Sequence, residues 1–187
     1  MSDTATTDAT TTATAKPIAG GAFASITLPL LGGGERDLGQ PAEGRDWTMV
    51  VVYRGQHCPL CTRYLKGLTT LVEAFHAEGI DVVAVSADSA EQAKSQMAEV
   101  EPTFPVAHSL STGQMRQRGL YISDPRSAQE TDHAFAEPAL FVVNGGGDIQ
   151  IVDISNAPFA RPDLEALLGG LQFVRANSYP IRGTHAA

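Results

Sequence analysis

The sequence predicts an α/β fold, in which a central mixed β-sheet is flanked by helices on both faces and preceded by an N-terminal β-hairpin. Three apolar runs without polar alternation, Trp47 to Tyr53, Ile80 to Val85 and Ala139 to Val143, are typical of strands covered on both faces. A helical pattern joins the first two runs, so these strands should be parallel. A glycine-rich turn at residues 144–148 follows the third run and predicts an antiparallel return strand, residues 149–154.

The N-terminal part of the chain divides into a tail and a hairpin. Residues 1–17 are mostly Thr, Ala, Ser and Asp, and we expect a disordered tail there, ahead of one domain over residues 18–187. From Phe23 to Leu28 apolar residues alternate with small or polar ones, as in a short strand. Residues 32–34 are all glycine and form the expected turn to a return strand at Glu35 to Leu38. The other interpretation of this turn, a phosphate-binding loop, requires a following helix with Gly-Lys-Ser/Thr, which the sequence lacks.

Helical periodicity and capping residues predict four helices, over residues 59–78, 90–100 and 112–116 and from residues 161–163 onward. Ser123 to Asp132 is expected to be a loop, and the segment from Phe173 to the C-terminus is expected to lie along the surface. The order of elements is therefore hairpin, strand, helix, strand, helix, short strand, helix, hairpin and helix. This is a thioredoxin-like layout.

Composition and charge exclude several classes of protein. Hydrophobic residues make up 43% of the chain and charged residues 18%, as in ordinary globular proteins. The net charge of −8 argues against a nucleic-acid partner or an anionic membrane partner. No apolar run approaches the ~20 residues that span a bilayer, and the N-terminus lacks the apolar core of a signal peptide. We therefore expect a cytoplasmic protein, and in that compartment a lone Cys-x-x-Cys indicates catalysis or metal binding.

Both cysteines of the chain lie in the segment Cys58-Pro59-Leu60-Cys61, between the first long strand and the first long helix. A thiol at a helix N-terminus is stabilised as a thiolate by free N–H groups and the helix dipole, so Cys58 is the expected nucleophile. Cys61, one turn later, is placed to attack a mixed disulfide on Cys58. The alternatives are a buried structural pair and a metal site that uses His57 with both cysteines, although no second ligand pair completes a structural zinc site.

Three basic residues near the cysteines are further candidates. His57 could lower the pKa of Cys58 when protonated, or it could be a loop histidine without a role. Arg54 and Arg63 could supply positive charge that favours a thiolate, or they could be solvated or engaged in ion pairs.

Four segments together resemble peroxiredoxin-like members of the alkyl hydroperoxide reductase/thiol-specific antioxidant family. These are residues 52–61 (VYRGQHCPLC), 83–88 (VAVSAD), 137–143 (EPALFVV) and 157–162 (APFARP). The resemblance implies a thioredoxin-fold antioxidant oxidoreductase that reduces hydroperoxides or disulfides, with Cys58 attacking and Cys61 resolving. It also implies a thioredoxin- or glutathione-type electron donor, no cofactor other than the Cys58–Cys61 pair, and the capacity to form homodimers.

The chain departs from the family at two positions. Peroxiredoxins carry a Thr three residues before the peroxidatic cysteine and an Arg on a later strand, whereas Gly55 and the surroundings of Pro138 occupy these positions here. Thioredoxins keep a cis-proline at the later position, so we expect Pro138 to be cis and to face the cysteines. The departures favour an alternative function, a thioredoxin-like protein disulfide reductase without significant peroxidase activity. The non-enzyme alternatives are a metal-binding protein and a redox-inactive binding module.

Overall fold

The computed structural model describes residues 17–185 and shows the predicted α/β architecture. The predicted tail therefore lies outside the described residues, except for Pro17. The strands are β1 (Thr27–Pro29), β2 (Glu35–Asp37), β3 (Trp47–Val52), β4 (Ile80–Val85), β5 (Val106–Ala107), β6 (Ile122–Ser123), β7 (Phe135–Ala136), β8 (Ala139–Val143) and β9 (Ile149–Ile154). The helices are α1 (Pro59–Ala77), α2 (Ala90–Val100), α3 (Thr112–Gln117) and α4 (Leu164–Ala176).

The central sheet has five strands in the order β5-β4-β3-β8-β9. Strand β3 pairs parallel with β4 and antiparallel with β8, and β8 pairs antiparallel with β9. The mixed sheet and its strand directions are therefore as predicted, and β1 and β2 form the predicted N-terminal hairpin.

The two faces of β3 contribute to two separate cores, because successive side chains of a strand point to opposite faces. Met49 and Val51 pack with buried residues of α1, α2 and α4. Val50 and Val52 pack on the other face with residues of the β1–β2 hairpin and with Met115 of α3. Helices therefore cover both faces, as the continuous apolar run of β3 predicts.

Capping residues and a first-turn proline mark where the helices begin. Pro59 occupies the first turn of α1, where a missing N–H costs no hydrogen bond, and Cys58 is the N-cap. Ser89 and Ser111 cap α2 and α3, each in a reciprocal capping box with the glutamine three residues later. On α1, Leu65, Leu68, Val72 and Phe75 recur at helical spacing and are fully buried.

Two predicted boundaries differ from the structure. Ser123, the first residue of the segment expected to be a loop, is the last residue of β6, which pairs with β7, and two-residue strands are too short to show a period. Helix α4 continues past Phe173 to Ala176, because no Pro or Gly interrupts residues 171–176. Between residues 17 and 185, no helix combines the length and the apolar character needed to cross a membrane.

The sheet topology brings three chain segments to one edge of the sheet. Val52, at the end of β3, pairs with Ala139 at the start of β8, and Ala139 pairs with Ile154 at the end of β9. The loop to α1, the segment before β8 and the segment after β9 therefore meet at this edge. The same edge receives the end of β4, because Val52 also pairs with Val85.

Phe75→Ala should destabilise the fold strongly, since Phe75 is fully buried between α1 and the sheet. We expect the free energy of unfolding, measured by urea denaturation, to fall by about 3–5 kcal/mol. Phe173→Ala is the matched control, because Phe173 is 55% exposed, and its effect should stay within about 0.5 kcal/mol. Equal losses for the two variants would contradict this position of the core.

Candidate active site

The two cysteines lie at the N-terminus of α1 and are joined as a disulfide, with Cα atoms 5.3 Å apart. Both are buried, with 2% of Cys58 and 0% of Cys61 exposed. The Cys61 N–H donates to the Sγ of Cys58 at 3.2 Å, so the N-cap position is filled by a sulfur atom. This geometry matches the predicted arrangement, in which Cys58 caps the helix and Cys61 follows one turn later.

Asp88, which follows β4, fixes the loop that precedes Cys58. Its Oδ2 accepts a hydrogen bond from the Gln56 N–H at 2.8 Å. Its carboxyl group also lies beside Gly55, whose φ is +133°, and a Cβ at Gly55 would stand 2.9 Å from the Asp88 Cγ. Two factors therefore disfavour a side chain at Gly55, three residues before Cys58. The backbone conformation suits glycine, and Asp88 leaves no space for a Cβ.

Burial is also the main influence on the acidity of Asp88, and it raises the pKa of this carboxyl above its usual value. The hydrogen bond from Gln56 acts in the opposite direction and is the second-largest effect. The sequence did not predict a functional role for Asp88, although Asp88 ends one of the four segments that resemble the family.

Arg54 lies at the edge of the sheet but is engaged by carboxylates. Its Nε is 3.4 Å from the Glu137 Oε2, and its Nη2 is 3.5 Å from the Glu130 Oε1. Its guanidinium also lies over the Phe135 ring, 4.7 Å from the ring centroid. The sequence left open whether Arg54 supplies charge to a thiolate or forms ion pairs, and these contacts are ion pairs. A catalytic role for Arg54 stays a prediction.

His57 packs its ring against Phe135, with centroids 4.4 Å apart. Burial, followed by the nearby charge of Arg54, lowers the pKa of His57 to about 4. At neutral pH the ring is therefore uncharged, and His57 cannot supply the positive charge that the sequence suggested for a Cys58 thiolate. Among the described residues, neither ring nitrogen has a hydrogen-bond partner.

The prediction of a cis bond before Pro138 is wrong, because no cis peptide bond occurs within residues 17–185. The backbone on both sides of the bond is already paired. The Glu137 N–H donates to the Tyr121 carbonyl at 2.8 Å, and the Pro138 carbonyl accepts from the Ser155 N–H at 2.9 Å. The chain thus runs extended from β7 into β8, which suits the trans form that X–Pro bonds prefer.

Arg161 is the residue that sequence analysis missed. It lies in the segment after β9, and its Nη2 donates to the Cys61 Sγ at 2.9 Å. Its guanidinium also lies over the Tyr64 ring, with 5.1 Å to the centroid. The available signal was its position in the segment 157–162, which resembles the family. Arg63, the other candidate cation, is exposed on α1.

Metal binding at the cysteines has no geometric support. Across residues 17–185, no three His, Cys, Asp or Glu side chains are grouped so that they could hold a metal ion. The ring of His57 lies against Phe135, and the two sulfurs are bonded to each other.

A cysteine pair that begins the first long helix of a thioredoxin-like sheet defines the class of thiol-dependent oxidoreductases. The family model described as AhpC/TSA matches residues 19–152. The chain belongs to the AhpC/TSA family and is a peroxiredoxin-like enzyme, as its sequence predicted.

Solved structures of peroxiredoxins share the fold at low sequence identity. A cysteine-to-serine mutant of the Peroxiredoxin 6 of Arenicola marina is 15% identical, with a TM-score of 0.74 over 86% of this chain and 74% of that chain. A peroxiredoxin-like protein from Aquifex aeolicus is 15% identical, with a TM-score of 0.70 over 87% and 90%. Peroxidoxin BcpB from Mycobacterium tuberculosis is 16% identical, with a TM-score of 0.69 over 84% and 98%. No curated protein matched the chain.

Gly55→Ala should destabilise the protein by about 2–3 kcal/mol, because the new Cβ meets Asp88 and an L-residue is strained at this φ. Gly33→Ala is the matched control, since Gly33 also has a positive φ of +90° but open space around it. Urea denaturation of the two variants separates the backbone effect from the contact with Asp88. A cost at Gly55 no larger than that at Gly33 would refute the role assigned to Asp88.

His57→Phe should reduce the loss of stability in mild acid. The folded-state pKa of His57, about 4, lies below its unfolded value of 6.5, so its effect is absent above pH 6.5 and folding is penalised as pH falls toward 4. Because the His57 side chain is only partly buried, solvent weakens this effect, and we expect the variant to gain only about 1 kcal/mol over the wild type at pH 5, relative to pH 7. Thermal denaturation at both pH values measures this difference, and a variant of the exposed His185, His185→Phe, is the control. Parallel pH profiles for wild type and His57→Phe would contradict the neutral state of His57.

Proposed function

We propose that the protein reduces hydroperoxides or disulfides through a cycle in which Cys58 and Cys61 alternate between dithiol and disulfide. The observation that supports the proposal is the bonded cysteine pair at the N-terminus of α1, in a chain of the AhpC/TSA family. In this cycle the Cys58 thiolate attacks the substrate first. The helix N-terminus and the N–H of Cys61 stabilise negative charge on the Cys58 sulfur.

The cycle balances for both classes of substrate. With a hydroperoxide, Cys58 takes one oxygen to become a sulfenic acid and an alcohol leaves, after which Cys61 attacks the Cys58 sulfur and water is lost. With a disulfide, Cys58 forms a mixed disulfide and releases one thiol, and Cys61 then releases the second. In both cases a Cys58–Cys61 disulfide remains. A thioredoxin- or glutathione-type thiol donor, which we also propose, returns it to the dithiol, so that no cofactor is needed.

The surroundings of Cys58 favour disulfide exchange as the second candidate activity. Gly55 carries no hydroxyl that could hold a peroxide, and the Asp88 carboxyl group fills the space beside it. Before β8, where the position of the family's arginine falls near Pro138, Glu137 is paired with Arg54. Membership of the family supports peroxide reduction, whereas these residues support a disulfide reductase.

The decisive experiment follows the thiols of the reduced protein after rapid mixing with hydrogen peroxide, with an organic hydroperoxide or with a small disulfide. Thiols are counted by alkylation and mass spectrometry, since the only tryptophan, Trp47, begins β3 at the opposite edge of the sheet. Fast loss of both thiols with peroxide indicates a peroxidase, and fast loss with the disulfide alone indicates a disulfide reductase. If neither oxidant consumes the thiols, the proposed function fails.

Single serine variants test the order of attack. In Cys58→Ser we expect the initial reaction with oxidant to fall by at least about 100-fold, because the attacking sulfur is gone. Cys61→Ser should keep the first reaction and stop at a sulfenic acid or mixed disulfide on Cys58, detected by a sulfenic-acid trap or by mass. The reverse pattern would assign the attack to Cys61.

A further inference from the structure

We propose that Arg161 stabilises the thiolate of Cys61, so that Cys61 is the leaving group when an external thiol reduces the Cys58–Cys61 disulfide. The inference rests on the dithiol cycle proposed above and assigns its two sulfurs unequal electrostatic environments. The direct observation is the contact between the Arg161 Nη2 and the Cys61 Sγ, at 2.9 Å.

The Arg161 guanidinium is held in place by neighbours on α1. Its Nη1 donates to the Leu60 carbonyl at 3.4 Å, and its plane lies over the Tyr64 ring. The Tyr64 hydroxyl in turn donates to the carbonyl of Pro162, the next residue after Arg161, at 3.0 Å. The guanidinium group is planar and stacks on aromatic faces, so these contacts preorganise its charge toward the sulfur.

Arg161 keeps its positive charge at neutral pH. Burial lowers the pKa of Arg161 to about 10, with a smaller effect of Arg54 in the same direction, whereas Tyr64 and Glu137 act to raise it. Because the guanidinium is largely buried, its attraction to a nearby anion is stronger than it would be in water. Cys61 is itself fully buried, so a thiolate there depends on a cation or hydrogen-bond donor in contact.

The other ionisable groups around the cysteines do not replace this charge. They include Arg54 after β3, His57 in the loop, Asp88 after β4, Tyr64 on α1 and Glu137 before β8. Arg54 is paired with Glu137 and Glu130, and His57 is neutral. Burial raises the pKa of Tyr64 to about 12, so this hydroxyl is also neutral. Within residues 17–185, Arg161 is the only cation in hydrogen-bond contact with a cysteine sulfur.

The contact of Arg161 with Cys61, and not with Cys58, determines which of the two sulfurs the donor thiol attacks. The donor thiolate forms a bond with the Cys58 sulfur, the Cys58–Cys61 bond breaks, and Cys61 leaves with the electron pair as a thiolate paired with Arg161. A second donor thiolate then attacks the donor sulfur of the mixed disulfide, releasing the Cys58 thiolate and oxidising the donor to a disulfide. A thiol of lower pKa leaves faster, so attack at Cys58 is preferred over attack at Cys61.

The test measures the ionisation of Cys61 alone, in the Cys58→Ser background, from the ultraviolet absorbance of the thiolate as a function of pH. Adding Arg161→Met should raise the apparent pKa of Cys61 by about 1–2 units, as expected on loss of a contacting opposite charge. Arg161→Lys should restore part of the shift, because it keeps the charge but not the two-pronged contact. Arg63→Met, which removes the exposed arginine on α1, is the matched control and should leave the pKa unchanged.

A kinetic measurement on the oxidised protein tests the leaving-group role. Reduction by dithiothreitol should slow by about 3- to 10-fold in Arg161→Met, as a leaving thiol of higher pKa requires. With glutathione, peptide mapping of the trapped mixed disulfide should find it on Cys58 in the wild type and on both cysteines in Arg161→Met. Circular dichroism verifies that each variant is folded, and Arg161→Gln replaces the Met variant if that one does not fold.

The outcomes separate this inference from the proposed function. An unchanged Cys61 pKa in both neutral variants overturns the role of Arg161, even if the wild type consumes peroxide or disulfide. A raised pKa in a protein whose thiols react with neither oxidant supports the electrostatic role and rejects the proposed cycle.

Discussion

The contact between Asp88 and the loop before Cys58 is the constraint on which the site depends. The Asp88 carboxyl group receives the Gln56 N–H and occupies the space beside Gly55. These two contacts hold the loop between the end of β3 and α1, where Cys58 is the helix N-cap. Asp88 is itself positioned by β4, whose last residue pairs with the last residue of β3. The parallel pairing of two strands thus contributes to the position of the Cys58 sulfur.

Two arginines at this edge of the sheet have different partners. Arg54 follows β3 and is paired with carboxylates from the segments on either side of β7, whereas Arg161 follows β9 and contacts sulfur. Antiparallel pairing of β8 with both β3 and β9 brings these segments together. As a result, Arg54, four residues before Cys58, is paired with carboxylates, and Arg161, a hundred residues from Cys61, contacts the Cys61 sulfur.

The two positions at which the chain departs from the peroxiredoxin pattern each have a carboxyl group nearby. Gly55 stands where a threonine is expected, and the Asp88 carboxyl group fills the space beside it. The position of the family's arginine falls near Pro138, and Glu137, the residue before Pro138, pairs its carboxylate with Arg54. In each case a carboxyl group lies next to the position of the missing family residue. The site therefore keeps the family's helix N-terminus and cysteine but surrounds them with different polar groups.

Patterns that are local in sequence determined the fold class and the cysteine motif. Unbroken apolar runs predicted β3, β4 and β8, and Pro59 with the periodicity after it predicted α1, because burial and capping depend on residues a few positions apart. Local patterns did not reveal the ion pairs of Arg54, the neutral state of His57, the trans bond before Pro138 or the contact of Arg161 with Cys61. Each of these depends on groups that only the paired strands bring together. Burial and charge at the site are sums over the whole fold, and the tertiary structure alone decided them.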